Sequence, residues 1–126
     1  MKLNITSLLF IILASSSLLL SCQKEEKLFQ KQLPGKTGID FSNHISEDSD
    51  YNILNFEYVY NGGGTAVADF NNDSLQDLFF TGNMVDNGMY LNLGDFRFQK
   101  ITETAGIKAE NKWCSGSAVV DINNDG

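Results

Sequence analysis

Four oxygen-bearing side chains stand at the first, third, fifth and ninth positions of one short stretch: Asp69, Asn71, Asp73 and Asp77. Alternate residues of a tight loop can point inward together, and hard oxygen donors in that number suit calcium, which takes six to eight at about 2.3–2.6 Å. Asp69, Asn71 and Asp73 would each offer a side-chain oxygen and Leu75 its backbone carbonyl, while Asp77 would close the cage from the start of the next strand. Without a cation three converging carboxylates would repel one another, so an ion is expected to order the loop.

An ordinary polar turn rich in Asp and Asn is the bland alternative for any one such cluster. Recurrence weighs against it. Gly64-Thr-Ala-Val-Ala-Asp-Phe-Asn-Asn-Asp-Ser74 aligns without gaps on Gly116-Ser-Ala-Val-Val-Asp-Ile-Asn-Asn-Asp-Gly126, with seven of eleven positions identical and a period of 116 − 64 = 52 residues. The second copy supplies Asp121, Asn123 and Asp125 but ends before its own ninth position. An EF-hand also opens on Asp-x-Asn-x-Asp, yet it needs Gly at position 6, a bidentate acid at position 12 and helices on both sides. Here position 6 is Ser74, position 12 is Phe80, and both flanks have strand character. The EF-hand is excluded.

The loops must be held by β-structure, because short apolar or aromatic runs alternate with clusters of Gly, Asn and Asp and no useful helical periodicity appears. Strands are predicted at Phe56–Tyr60, Gly64–Asp69, Asp77–Thr81, Met89–Asn92 and Phe96–Ile101. Runs such as Ala66-Val67-Ala68 and Leu78-Phe79-Phe80 are apolar on both faces and must be covered on two sides. A repeat of about 50 residues with several short strands per period is the signature of a propeller blade. The expectation is an all-β chain, the amino-terminal fragment of a β-propeller holding about one blade and the start of the next.

These residues resemble a known family. Gly62-Gly63-Gly64-Thr-Ala-Val-Ala-Asp-Phe-Asn-Asn-Asp, followed by Asp77-Leu-Phe-Phe-Thr-Gly-Asn, resembles the FG-GAP/VCBS repeat of integrin-α-like propellers. More narrowly, the stretch from Thr37 to Trp113 is similar to bacterial proteins related to cartilage acidic protein, which often carry a carboxy-terminal ASPIC/UnbV domain. Over residues 37–126 the resemblance implies a propeller, commonly seven-bladed, with calcium in its inter-strand loops. Ser74 departs from the family pattern, since it replaces a glycine that usually takes a positive φ.

The amino terminus has a different character. Met1 and Lys2 give a positive start, Leu8 to Leu20 form an apolar run, and Leu19-Leu20-Ser21-Cys22 resembles a bacterial lipobox. The run is shorter than the roughly 20 apolar residues that span a bilayer. Residues 1–21 are therefore expected to be a lipoprotein signal peptide and Cys22 the lipidated residue, anchoring the protein to a membrane. Residues 22–36 read as a solvated tether. Gln23-Lys24-Glu25-Glu26 also resembles the export signal of Bacteroidota lipoproteins, which would place the protein on the outer face of the outer membrane.

Composition narrows the partners. A formal charge of −7 and a pI near 4.4 argue against nucleic acid, which needs clustered Lys and Arg. With Cys22 lipidated, Cys114 has no disulfide partner and reads as a small buried hydrophobe. His44, the sole histidine, has no nucleophile or carboxylate motif around it and reads as a surface residue. Trp113 is expected to pack between blades. Tyr51, Phe56, Tyr58 and Tyr60 could stack on a glycan, but the alternating Phe56-Tyr58-Tyr60 suits one face of a strand against the core. Asp73-Ser74-Leu75 resembles a short O-glycosylation acceptor, though it overlaps the metal loop.

The function expected from these features is a calcium-binding module for an extracellular glycan or protein, not an enzyme. The alternatives are the platform of an envelope enzyme whose catalytic part lies beyond Gly126, or a scaffold for outer-membrane assembly or uptake.

Overall fold

A computed structural model describes residues 4–5 and 27–123. Cys22, Asp125 and nearly all of the expected signal segment lie outside the described residues. Four strands, β1 (Thr65–Ala68), β2 (Asp77–Phe80), β3 (Gly88–Asn92) and β4 (Phe98–Lys100), form one antiparallel sheet in the order β1-β2-β3-β4. The all-β expectation stands, and the sheet is a simple meander of the kind that makes one propeller blade. Two four-residue helices, α1 (Pro34–Thr37) and α2 (Thr102–Ala105), flank it. Pro34 begins α1, where its missing N–H costs nothing, and Gly38 ends it in the left-handed conformation.

Register gives the sheet two distinct faces. Ala66 pairs with Phe79 and Phe79 with Met89, so these three share one face. Val67, Leu78, Tyr90 and Lys100 pair in turn on the other, alongside Thr65 and Phe80. Both faces are covered, as the doubly apolar β2 requires. A strap running from Gly38 to Asn43 lies over the Phe80 face. Phe41 stacks on Phe80 with ring centroids 5.0 Å apart and planes at 11°, and Phe80 meets Tyr90 edge-on at 5.8 Å. Each such pair adds about 0.5–1.5 kcal/mol beyond its buried area. Tyr90, fully buried, donates its hydroxyl to Asp40 at 2.5 Å, and Lys100 reaches the same carboxylate oxygen at 3.0 Å. Burial and then the Asp40 hydrogen bond push the Tyr90 phenol far above its ordinary pKa. The opposite face meets the second sequence copy: Ala66, Phe79 and Met89 line a cavity of about 500 Å³ together with Ile107, Ala118 and Val120.

Gly64 marks where the two copies cross. A Cβ there would stand 2.6 Å from the backbone nitrogen of Ser117 and 2.8 Å from the carbonyl carbon of Gly116, so only glycine permits the approach.

Two predicted strands need correction. Phe56–Tyr60 is a series of turns, with Val59 donating to the Phe56 carbonyl at 3.0 Å and Asn61 to Tyr58 at 3.0 Å. The period-2 aromatic pattern was coincidental: Val59 is the buried residue, while Tyr58 and Tyr60 are 55% and 60% exposed. Asn52 sets the turns, its side-chain oxygen accepting the N–H groups of Leu54 and Asn55. Phe96–Ile101 shrinks to β4 because Gly94, Asp95 and Phe96 all have positive φ, which continues the turn past the expected strand start. The second copy, over 116–121, carries no assigned strand.

Candidate functional site

The β1–β2 connection, residues 69–76, is built around the Asp69 carboxylate. Its Oδ1 accepts the N–H groups of Asn71 at 3.3 Å and Asp73 at 3.1 Å, and its Oδ2 accepts that of Ser74 at 2.7 Å. Desolvation pushes the Asp69 pKa up, but the N–H groups of Ser74, Asp73, Asn71 and Asn72 together outweigh it and hold the carboxyl below its ordinary value. Asn71 and Asp73 repeat the motif on a smaller scale. Asp73 donates its N–H to the Asn71 side-chain oxygen at 3.1 Å, the Asn71 amide donates to Asp73 Oδ2 at 2.9 Å, and Leu75 donates to Asp73 Oδ1 at 2.8 Å. The side chains of Asp69, Asn71 and Asp73 are thereby gathered by one winding of the backbone.

Winding so tightly requires left-handed residues. Asn72 has φ 59° and Ser74 φ 69°. Asn tolerates that region because its side chain bonds locally. Serine does so less readily, and Ser74 occupies the position where the family pattern has glycine.

Asp77 lies elsewhere in the arrangement. It is fully buried at the start of β2, its Oδ2 accepting the Phe70 N–H at 3.0 Å and its Oδ1 the Asn92 N–H at 2.7 Å. It therefore ties the loop to the end of β3, and Asn92 returns the tie by donating its amide to the Gln76 carbonyl at 2.9 Å. With Asp77 so engaged, no three His, Cys, Asp or Glu side chains stand together as a metal cluster among the described residues. The donor set still fits a hard cation in kind. Asp69, Asn71 and Asp73 bring oxygens to one loop, and each Asp77 oxygen that accepts one N–H keeps a lone pair.

Residues 69–126 match the family model of the FG-GAP-like repeat, a span that opens on Asp69 and runs through the second Asp-x-Asn-x-Asp. The chain carries an FG-GAP-like repeat. No curated protein and no solved structure matches it. In the second copy of the FG-GAP motif, Asp121 and Asn123 are exposed, and Asp125 lies outside the described residues.

The remaining residues singled out by sequence fall as follows. His44 is exposed. Cys114 is half-buried with a free thiol, and its backbone donates to the Gly82 carbonyl at 3.1 Å. Trp113 packs against Phe56 edge-on at 5.1 Å and lies parallel to Tyr51 at 6.3 Å. Sequence reasoning missed two buried amides. Asn83 exchanges bonds with Asn43 and donates to the carbonyls of Gly62 and Cys114, while Asn87 accepts the Gly82 N–H and donates to Ile107. Asn83 closes the Asp77–Asn83 motif of the family resemblance and Asn87 lies between predicted strands, and burial was the missing signal for both.

Proposed function

We propose that the protein is a calcium-ordered propeller module, held at the outer face of a bacterial outer membrane by lipid on Cys22, that binds an extracellular glycan or protein rather than catalysing a reaction. FG-GAP repeats as a class can bind calcium, and in this reading Asp69, Asn71, Asp73 and the Leu75 carbonyl hold the ion, with Asp77 beneath them. The second loop would use Asp121, Asn123 and Asp125 in the same way. Calcium would supply the positive charge that lets these carboxylates lie close together.

The observation that carries the reading is the winding of residues 69–75 around the Asp69 carboxylate, with Asn71 and Asp73 folded against each other. An acidic balance and a lipobox-like Leu19-Leu20-Ser21-Cys22 support the envelope location. Among the described residues no helix is long and apolar enough to cross a membrane.

Thermal melting with and without calcium tests the metal. At a calcium concentration about a hundred times its Kd, binding to the folded form should add roughly 2.7 kcal/mol. The Asp69→Ala and Asp73→Ala variants should lose most of that gain. An unchanged melting temperature across a calcium titration of the unaltered chain would sink the metal assignment.

A further inference from the structure

A cavity of about 680 Å³ lies away from the metal loop, between the 48–51 turn, the β2–β3 connection and the 110–113 segment. Its size is in the range of small-molecule sites, about 300–1,000 Å³. Its lining combines aromatic rings with charged side chains, two of them without a partner among the described residues. Tyr51 and Trp113 stand parallel within 9°, and Phe56 braces Trp113 edge-on at 78°. Tyr51 remains 49% exposed, so part of the aromatic wall is open to a ligand.

Around the rings lie the side chains of Asp48, Asp86, Glu110 and Lys112. Asp48 Oδ1 accepts the N–H groups of Asp50 and Tyr51, which fixes the carboxylate and the Tyr51 backbone together. Glu110 is shared with Lys108 at 3.5 Å. Among the described residues the Asp86 carboxylate and the Lys112 ammonium have no hydrogen-bond or ion-pair partner.

We infer that this cavity binds a neutral saccharide, with the apolar face of a sugar ring against Tyr51 and Trp113 and its hydroxyls donated to Asp48 and Asp86. An amphipathic ring with one apolar face and a rim of hydroxyls is what an aromatic wall beside open carboxylates complements. A phosphorylated or carboxylated ligand is disfavoured, because three carboxylates face a single lysine. A purely apolar ligand is disfavoured because its seat would bury those carboxylates without partners. This assignment rests on the reading of the protein as an extracellular binding module and names the class of its ligand.

Trp113 is the sole tryptophan of the chain, so its emission reports on this cavity directly. The full chain is titrated to about 10 mM with neutral tetrasaccharides of glucose, galactose and mannose, a range that captures the roughly millimolar affinity of a shallow, open site. A saturable change in Trp113 emission with at least one of them is expected. Tyr51→Ala and the double variant Asp48→Asn, Asp86→Asn should each weaken that response about tenfold, with circular dichroism unchanged. Asp86→Asn alone guards against misfolding, since that carboxylate bonds to nothing described in the protein, and it should weaken binding by a smaller factor. No response to any of the three sugars overturns the inference. So does an undiminished response in Tyr51→Ala, or saturation by spermidine in place of sugar. Calcium is scored separately by melting: a chain stabilised by calcium but silent to sugar loses this inference and keeps the metal reading. The reverse outcome loses the metal alone.

Discussion

Ser74 holds a backbone conformation that costs an ordinary L-residue about 1–2 kcal/mol, and it does so because Asp69 Oδ2 accepts its N–H at 2.7 Å. The same carboxylate bonds at Asn71 and Asp73 force the loop to turn left at 74, whatever residue stands there. Glycine would remove the strain but lose more freedom on folding, which returns about 0.5–1 kcal/mol of the gain. Ser74→Gly should therefore stabilise the chain by about 0.5–1 kcal/mol net, and tighten calcium binding about two- to fivefold if the ion selects the wound loop. Paired thermal melts and calcium titrations of the two forms check both effects, and a less stable Gly variant would mean that the serine side chain contributes something the backbone geometry does not reveal. The strained position could be read from the sequence, since Ser74 stands where the second copy has Gly126. The commitment of Asp77 could not. Its spacing is that of a ligand, and only the fold brings the Phe70 and Asn92 N–H groups to its two oxygens.

Among the elements, β1, β2 and β3 were legible because apolar runs bounded by Gly, Asn and Asp allow little else. The strap over residues 38–43 was not, because nothing in Gly38-Ile39-Asp40-Phe41 announces that it will lie on the Phe80 face. It is fixed by long-range contacts: Phe41 on Phe80, and Asp40 between Tyr90 and Lys100. The Tyr90 hydroxyl, then the Lys100 ammonium, hold the Asp40 carboxyl below its ordinary pKa. With the folded value lowered, the unfolded chain takes up the proton first as pH falls. The stabilisation is whole above the ordinary aspartate value of about 3.9 and is lost as pH drops through the lower folded value. Hydrogen exchange of the Ile39 to Asn43 amides should accordingly rise below about pH 4 beyond the intrinsic pH dependence, and Asp40→Asn should exchange faster at neutral pH while losing that acid-dependent step. Equal acid dependence in the two forms would show that another carboxylate governs the strap.

The whole molecule is governed by a repeat whose two copies are folded to different degrees. Thr65–Ala68 is laddered to β2 and buries Ala66, whereas its counterpart over 117–120 leaves Ala118 and Val120 exposed and is assigned no strand. Closely similar residues in the same order thus have different fates, and the cause is the neighbour each one finds. The first copy is followed at once by Asp77–Phe80, which returns antiparallel to it, while the second lies across Gly64 with one side against the Ala66–Phe79–Met89 face. Propeller strands draw most of their protection from the ladder and from the blades on either side, so stability should be graded along this chain. Amides of β2 and β3, each bonded on both sides, should show the slowest hydrogen exchange, near the global unfolding free energy. Amides over 117–122 should exchange within a factor of about ten of an unstructured chain, and covalently joining a further repeat after them should slow them. If 117–122 instead exchanges as slowly as Leu78 to Phe80 in the chain alone, the second copy is held by the close crossing at Gly64 and needs no ladder to be stable.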